Sequence, residues 1–180
     1  MGGVISASAI SAIMSGCQAD PAKALAWEPV FFNPAQALMM AEIAERIMPT
    51  TDTHGAKEAG VAPFIDVVLK DCYRGKGQKA VLAGLEKIEQ DSQNDYGTSF
   101  INLDAEKMDT LLTKYDKAAY EQRQNPASKE RHFFSTLKEL TILGYFTSEI
   151  GATETLHYES VPGAYVGCKP LAEVGKTWAR

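Results

Sequence analysis

Residues 103–124, LDAEKMDTLLTKYDKAAYEQRQ, decide the fold class. Met108, Leu111, Leu112, Tyr115 and Ala119 recur at the three- and four-residue spacing of one helical face. Asp104 stands where a helix N-cap belongs. Asn125-Pro126 stops the run, because proline lacks an amide proton and disfavours helix in the residue before it. A helix with one apolar stripe needs other elements to cover that stripe.

The same period extends outward in both directions. Residues 128–146, SKERHFFSTLKELTILGYF, put Phe133, Leu137, Leu140 and Gly144 in register. Upstream, residues 79–93, KAVLAGLEKIEQDSQ, line up Val81, Leu82, Leu85 and Ile88, and the turn-rich NDYGTSFIN joins the two helices. Residues 61–73, VAPFIDVVLKDCY, are predicted as a helix with Phe64, Val67, Val68 and Cys72 facing inward. Asn33-Pro34 is a helix start, a cap followed by proline in the first turn. The helix it opens carries Ala37, Met40, Ala41, Ala44, Ile47 and Met48 on its apolar stripe, with Phe31 and Phe32 placed to staple it, and Pro49 ends it. Residues 50–60, TTDTHGAKEAG, form a loop with one helical turn. From Thr147 onward the periodicity fails, and residues 147–180 form an extended tail, longer than an ordinary connection. The expected class is all-α: about five main helices in a single bundle-like domain, residues 27–180, with an irregular C-terminal tail and no strand.

A chain of 180 residues, 45% hydrophobic and 23% charged, suits one globular domain that folds without metal or disulfide. The net charge of -5, without a basic cluster, excludes the cationic footprint of a nucleic-acid binder.

Residues 1–26 are expected to lie outside the folded domain. Residues 4–15, VISASAISAIMS, are apolar and small, too short to span a bilayer and suited to the middle of an export signal. Ile13-Met14-Ser15-Gly16-Cys17 has the pattern of a bacterial lipobox, which makes Cys17 the candidate lipid-attachment residue; acyl chains act together to anchor a protein stably. Gln18-Ala-Asp-Pro-Ala then serves as a tether. No Lys or Arg precedes Cys17, so a charged n-region is expected upstream, with both the twin-arginine and the general export route open.

Candidate chemistry is sparse. Gly75-x-Gly77-x-x-Ala80 imitates a dinucleotide fingerprint, but a helical pattern precedes it where that motif needs a strand, so the glycines are assigned to a helix boundary. Asp52, His54 and Glu58 share one loop; loop polarity and helix capping, with Asp52 or Thr53 accepting backbone N–H bonds, explain them better than a metal site. No Gly-x-Ser-x-Gly, His-Glu-x-x-His or Walker sequence occurs. Cys17, Cys72 and Cys168 form no Cys-x-x-Cys pair. Once Cys17 is lipidated, Cys72 and Cys168 either pair with each other, or Cys72 is a buried hydrophobe and Cys168 pairs with another chain. Tyr158, Tyr165 and Trp178 lie where no helical face exists; they serve either partner contact or packing of the tail onto its own helices.

Two stretches resemble a known family. The first is AEIAERIMPTTDTHGAKEAGVAPFIDVVL, residues 41–69, with its Ile-Met-Pro-Thr-x-Asp-x-x-Gly-Ala-x-x-Ala-Gly-Val core. The second is FFSTLKELTILGYFTSEIGA with HYESVPGAYVGCKP, within residues 133–170. Both are similar to subunit 3 of gluconate 2-dehydrogenase, the small subunit of membrane-bound sugar dehydrogenases, and the resemblance covers most of residues 28–170. It implies a large partner similar to the glucose–methanol–choline flavoproteins, which holds FAD and oxidises a sugar or sugar acid, and a cytochrome c subunit that passes electrons on. It implies no cofactor, metal or catalytic residue on this chain, whose part is to assist export, maturation or anchoring of the catalytic subunit. Tyr145, Phe146, Tyr158, Tyr165 and Cys168 are then the candidate partner-binding residues, and the expected location is periplasmic, lipid-anchored to a bacterial membrane. The alternative is a stand-alone lipoprotein that binds a ligand or protein; an enzyme in its own right is the least favoured.

Overall fold

A computed structural model of the chain describes residues 25–179 apart from 129, 162 and 165. Cys17, the lipobox around it and Tyr165 lie outside the described residues. Five helices carry the fold: α1 Pro34–Ile47, α2 Val61–Asp71, α3 Lys76–Tyr96, α4 Ala105–Gln124 and α5 Phe133–Thr147. A 3-10 turn, Phe100–Asn102, joins α3 to α4, a π-helical turn, Gly151–Thr155, follows α5, and a short α6, Leu171–Val174, lies in the tail. Among the described residues there is no strand, and the class is all-α as expected.

Local chemistry sets the helix ends. Asn33 and Gln36 form a reciprocal capping box, each side chain accepting the other's backbone N–H, with Pro34 in the first turn. Asp104 accepts the amide of Lys107 at 2.9 Å and starts α4. His132 starts α5 by accepting the Phe134 amide on Nδ1 at 3.2 Å; burial pushes this imidazole below its ordinary value, which suits an acceptor nitrogen.

α5 is the central helix and packs on α1, α2, α3 and α4. Its apolar residues surround most of its circumference, as burial from several sides requires. Two glycines mark close approaches to α5: a Cβ on Gly144 would lie 2.6 Å from Phe64 Cδ1 of α2, and one on Gly84 of α3 would lie 2.1 Å from Phe133 Cδ2. The core contains Met40, Ile43, Ile65, Leu69, Leu85, Ile88, Phe100, Leu111 and Leu137.

The predicted stripes fare unevenly. In α4 all five inward residues, Met108 to Ala119, are buried. In α2 the inward face is Val61, Ala62, Ile65, Asp66 and Leu69, whereas Val67 is 48% exposed and Cys72 is exposed. Phe64 and Val68 pack against the core as predicted, whereas the inward placement of Val67 and the buried reading of Cys72 are corrected. The reason is Asp66: its 1% exposed carboxylate accepts the amides of Val30 (2.6 Å), Phe31 (3.1 Å) and Phe32 (2.8 Å). Three converging N–H groups supply what a buried charge needs, and they rotate the helix so that its one central polar residue faces inward. They also fix the strap of residues 25–32, whose Leu25, Trp27 and Phe31 pack against the core.

Candidate functional site

The Met-Pro-Thr loop, residues 48–60, is held on two sides. From α1, Glu45 accepts Thr50 N at 3.0 Å and Thr50 Oγ1 at 2.9 Å on one oxygen, and Lys57 N at 2.9 Å on the other. The carboxylate thus takes the capping role that the sequence assigned to Asp52 or Thr53; Asp52 instead accepts from the Thr51 hydroxyl at 3.0 Å. Gly55 is required beside it, because a Cβ would sit 2.3 Å from Glu45 Oε1. Lys57 Nζ reaches Glu42 at 2.6 Å, and a turn from Gly55 to Gly60 leads into α2.

From α5, Tyr145 closes the other side. Its hydroxyl donates to the His54 carbonyl at 2.6 Å and lies 3.0 Å from Thr155 Oγ1. A phenol has one proton, so donation to His54 makes Thr155 the donor in the second contact. Tyr145 is fully buried. It is corrected as a partner-binding residue: a side chain with no exposed surface touches no partner, and it ties the loop to the π-helical turn. Phe146, half-buried, packs edge-on against it with centroids 5.2 Å apart.

His54 joins the loop to the same turn. Its Nδ1 lies 2.7 Å from Glu58 Oε2 and its Nε2 lies 2.9 Å from Glu154 Oε2. The hydrogen bond to Glu58, then the charges of Glu58 and Glu154, raise its pKa above the ordinary 6.5. Both ring nitrogens are engaged by different carboxylates, which leaves no lone pair for a metal. Among the described residues no group of three or more His, Cys, Asp or Glu is arranged to hold a metal ion. Sequence reasoning flagged His54 and Glu58 but missed Glu154, which is 100 residues away and gave no periodic signal.

The tail is not an open arm. His157 N donates to Thr177 O at 2.8 Å and Ala179 N to His157 O at 2.9 Å, a parallel bridge whose rings, His157 and Trp178, meet edge-on at 4.1 Å. Lys176 Nζ donates to the Glu154 carbonyl at the same base. The described residues of 157–179 thereby form a loop closed at its foot, with Tyr158 (58%) exposed beside the bridge and Val161 (79%) and Val166 (64%) exposed further out. Cys168 lies on it, exposed and free, as is Cys72, so the two do not pair with each other.

A second exposed apolar strip lies on α4 and α5, where Tyr120, Ile142 and Leu143 face outward among charged residues. Arg123 stacks over Tyr120, and Lys138 pairs with Asp116 at 2.7 Å. The signal for this strip was present in the sequence, since Ile142 and Leu143 fall outside the Leu137–Leu140–Gly144 register. Among the described residues no helix is long and apolar enough to cross a membrane.

No curated protein and no solved structure matches the chain. The family model described as gluconate 2-dehydrogenase subunit 3 matches residues 34–163, from the first residue of α1 to the rim of the closed loop and well over half the chain. On that match the chain belongs to the gluconate 2-dehydrogenase subunit 3 family.

Proposed function

We propose that the chain is the non-catalytic accessory subunit of a periplasmic flavin-dependent gluconate or sugar dehydrogenase, assisting export, maturation or anchoring of the catalytic subunit. Family membership makes it a subunit of a dehydrogenase complex. The finer assignment rests on one observation: a closed loop, mounted on a hydrogen-bonded base, that turns Tyr158, Val161 and Val166 to solvent. Apolar and aromatic side chains presented on a pre-ordered segment suit protein contact, because little ordering entropy remains to be lost on binding.

In this reading FAD resides on a large flavoprotein partner and a cytochrome c subunit receives the electrons. The half-exposed Phe146 and the exposed Tyr158 and Cys168 contribute to the partner face, together with Tyr165, while Cys17 carries the lipid anchor. The test is to purify the tagged full chain from its own cells and measure flavin released from co-purifying protein on denaturation. The wild-type chain is expected to bring down a larger flavoprotein, and the double substitution Tyr158→Asp, Val166→Asp to bring down far less. Normal periplasmic flavoprotein activity in cells lacking the chain refutes the escort role.

A further inference from the structure

The arrangement around His54 carries a regulatory consequence. A neutral imidazole has one N–H and one lone pair, whereas an ionised carboxylate only accepts. Glu58 and Glu154 approach the two ring nitrogens at 2.7 and 2.9 Å, so both contacts are satisfied only by the doubly protonated ring. When one proton leaves, a carboxylate faces a lone pair. The Glu58 contact is the shorter, lies within one loop and is the larger influence on the ring, so the remaining proton stays on Nδ1. The contact that fails is Nε2 to Glu154, which crosses from the loop to the base of the tail.

We propose that His54 is a pH-operated latch: protonated, it adds a side-chain tie from the Met-Pro-Thr loop to Glu154 of the π-helical turn at the base of the tail, and deprotonated, it gives up that tie and leaves the turn joined to the loop through the Tyr145 hydrogen bonds. The latch rests on the His54 geometry; that the tail it steadies is a partner face rests on the accessory-subunit reading above.

The other charged and titratable groups around the latch are accounted for. Lys57 is paired with Glu42, and Glu45 accepts from Thr50 and Lys57 N. Asp52 accepts from Thr51, Tyr145 binds the His54 carbonyl, and Lys176 donates to the Glu154 carbonyl rather than to its carboxylate. His157 lies one turn further on, against Trp178. Because the folded His54 is raised above 6.5, the tie is complete below 6.5 and is lost as pH rises through the elevated value.

The test uses the full chain, with hydrogen exchange of residues 156–179 corrected for intrinsic rates at about pH 5.5 and about pH 8.5, either side of the ordinary imidazole value. Protection of the tail base is expected to fall about two- to five-fold at the higher pH, the size an exposed ionic contact supports. In Glu154→Gln the side-chain amide meets either form of the ring, so the pH response should disappear. A tail response that survives in Glu154→Gln overturns the latch, as does equal protection at both pH values in the wild type. Independently of any variant, NMR titration of the His54 ring should give a midpoint above 6.5; a midpoint at or below it also overturns the latch. A negative result in the His54 titration leaves the flavoprotein-capture result standing, and failure of that capture leaves the His54 titration unaltered, so the two outcomes are separable.

Discussion

Replacing Asp66 perturbs the joint between the residue 25–32 strap and the bundle. Its carboxylate accepts three consecutive amides, and hydrogen bonds to a charged group contribute about 1.5–3 kcal/mol each. The three are not equivalent. Val30 is 51% exposed, so its amide finds water once the carboxylate is gone, whereas Phe32 is 5% exposed and its amide does not. Counting one amide fully orphaned and two partly rehydrated, Asp66→Ala is expected to cost about 3–5 kcal/mol. That is a large share of the roughly 5–15 kcal/mol that holds a domain folded. At about 2–4 °C per kcal/mol for a chain of this size, the melting temperature falls by roughly 6–20 °C. Asp66→Asn keeps one oxygen for Phe31 and Phe32, which share Oδ1, but turns an N–H donor toward the Val30 amide; its cost should be smaller, about 1–3 kcal/mol. Urea unfolding followed by circular dichroism measures both, and hydrogen exchange at Phe32 locates the effect. An Asn variant within about 0.5 kcal/mol of wild type, the size of an ordinary surface substitution, would refute the claim that the paired oxygens and their charge secure the strap.

Two further outcomes follow from the packing around α5. Gly144→Ala places a methyl 2.6 Å from Phe64 Cδ1 and is expected to cost about 1–3 kcal/mol by overpacking, with part recovered by adding Phe64→Leu; thermal unfolding of the single and double variants checks this. Tyr145→Phe removes one hydrogen bond to His54 O and one from Thr155, for about 1–2 kcal/mol, and should speed amide exchange in residues 50–60 and 151–156 while leaving α3 unchanged.

Legibility in the sequence depended on contrast between faces. In α4 charged residues fill the outer positions, so the inner five stood out. In α2 seven of the first nine residues are apolar, counting Ala62, and give no polar face to set the phase. Nothing in that run marks Asp66 as inward; three amides from another segment draw it there. The family was legible from its motifs. The tail was read as irregular, which holds, but its π-helical turn Gly151–Thr155 and short α6 Leu171–Val174 were not foreseen. Its closure was not legible, because the pairing of His157 with Trp178 and of His54 with Glu154 depends on contacts between segments remote in sequence. Tyr145 is the core aromatic that its place near a helix end suggests, but such a place gives no sign of which buried carbonyl its hydroxyl meets, and its assignment as a partner contact fails for that reason.

The bridge at the foot of the tail has a consequence for how this chain can vary. With entry and exit pinned side by side at His157 and Trp178, the hydrogen bonds between the described residues of this span and the rest of the chain gather at its foot, so insertions or deletions at its far end are expected to leave the helices undisturbed. Doubling such a span adds only about 0.6 kcal/mol of closure entropy. The rim can therefore be reshaped to fit different surfaces while the scaffold beneath it stays the same.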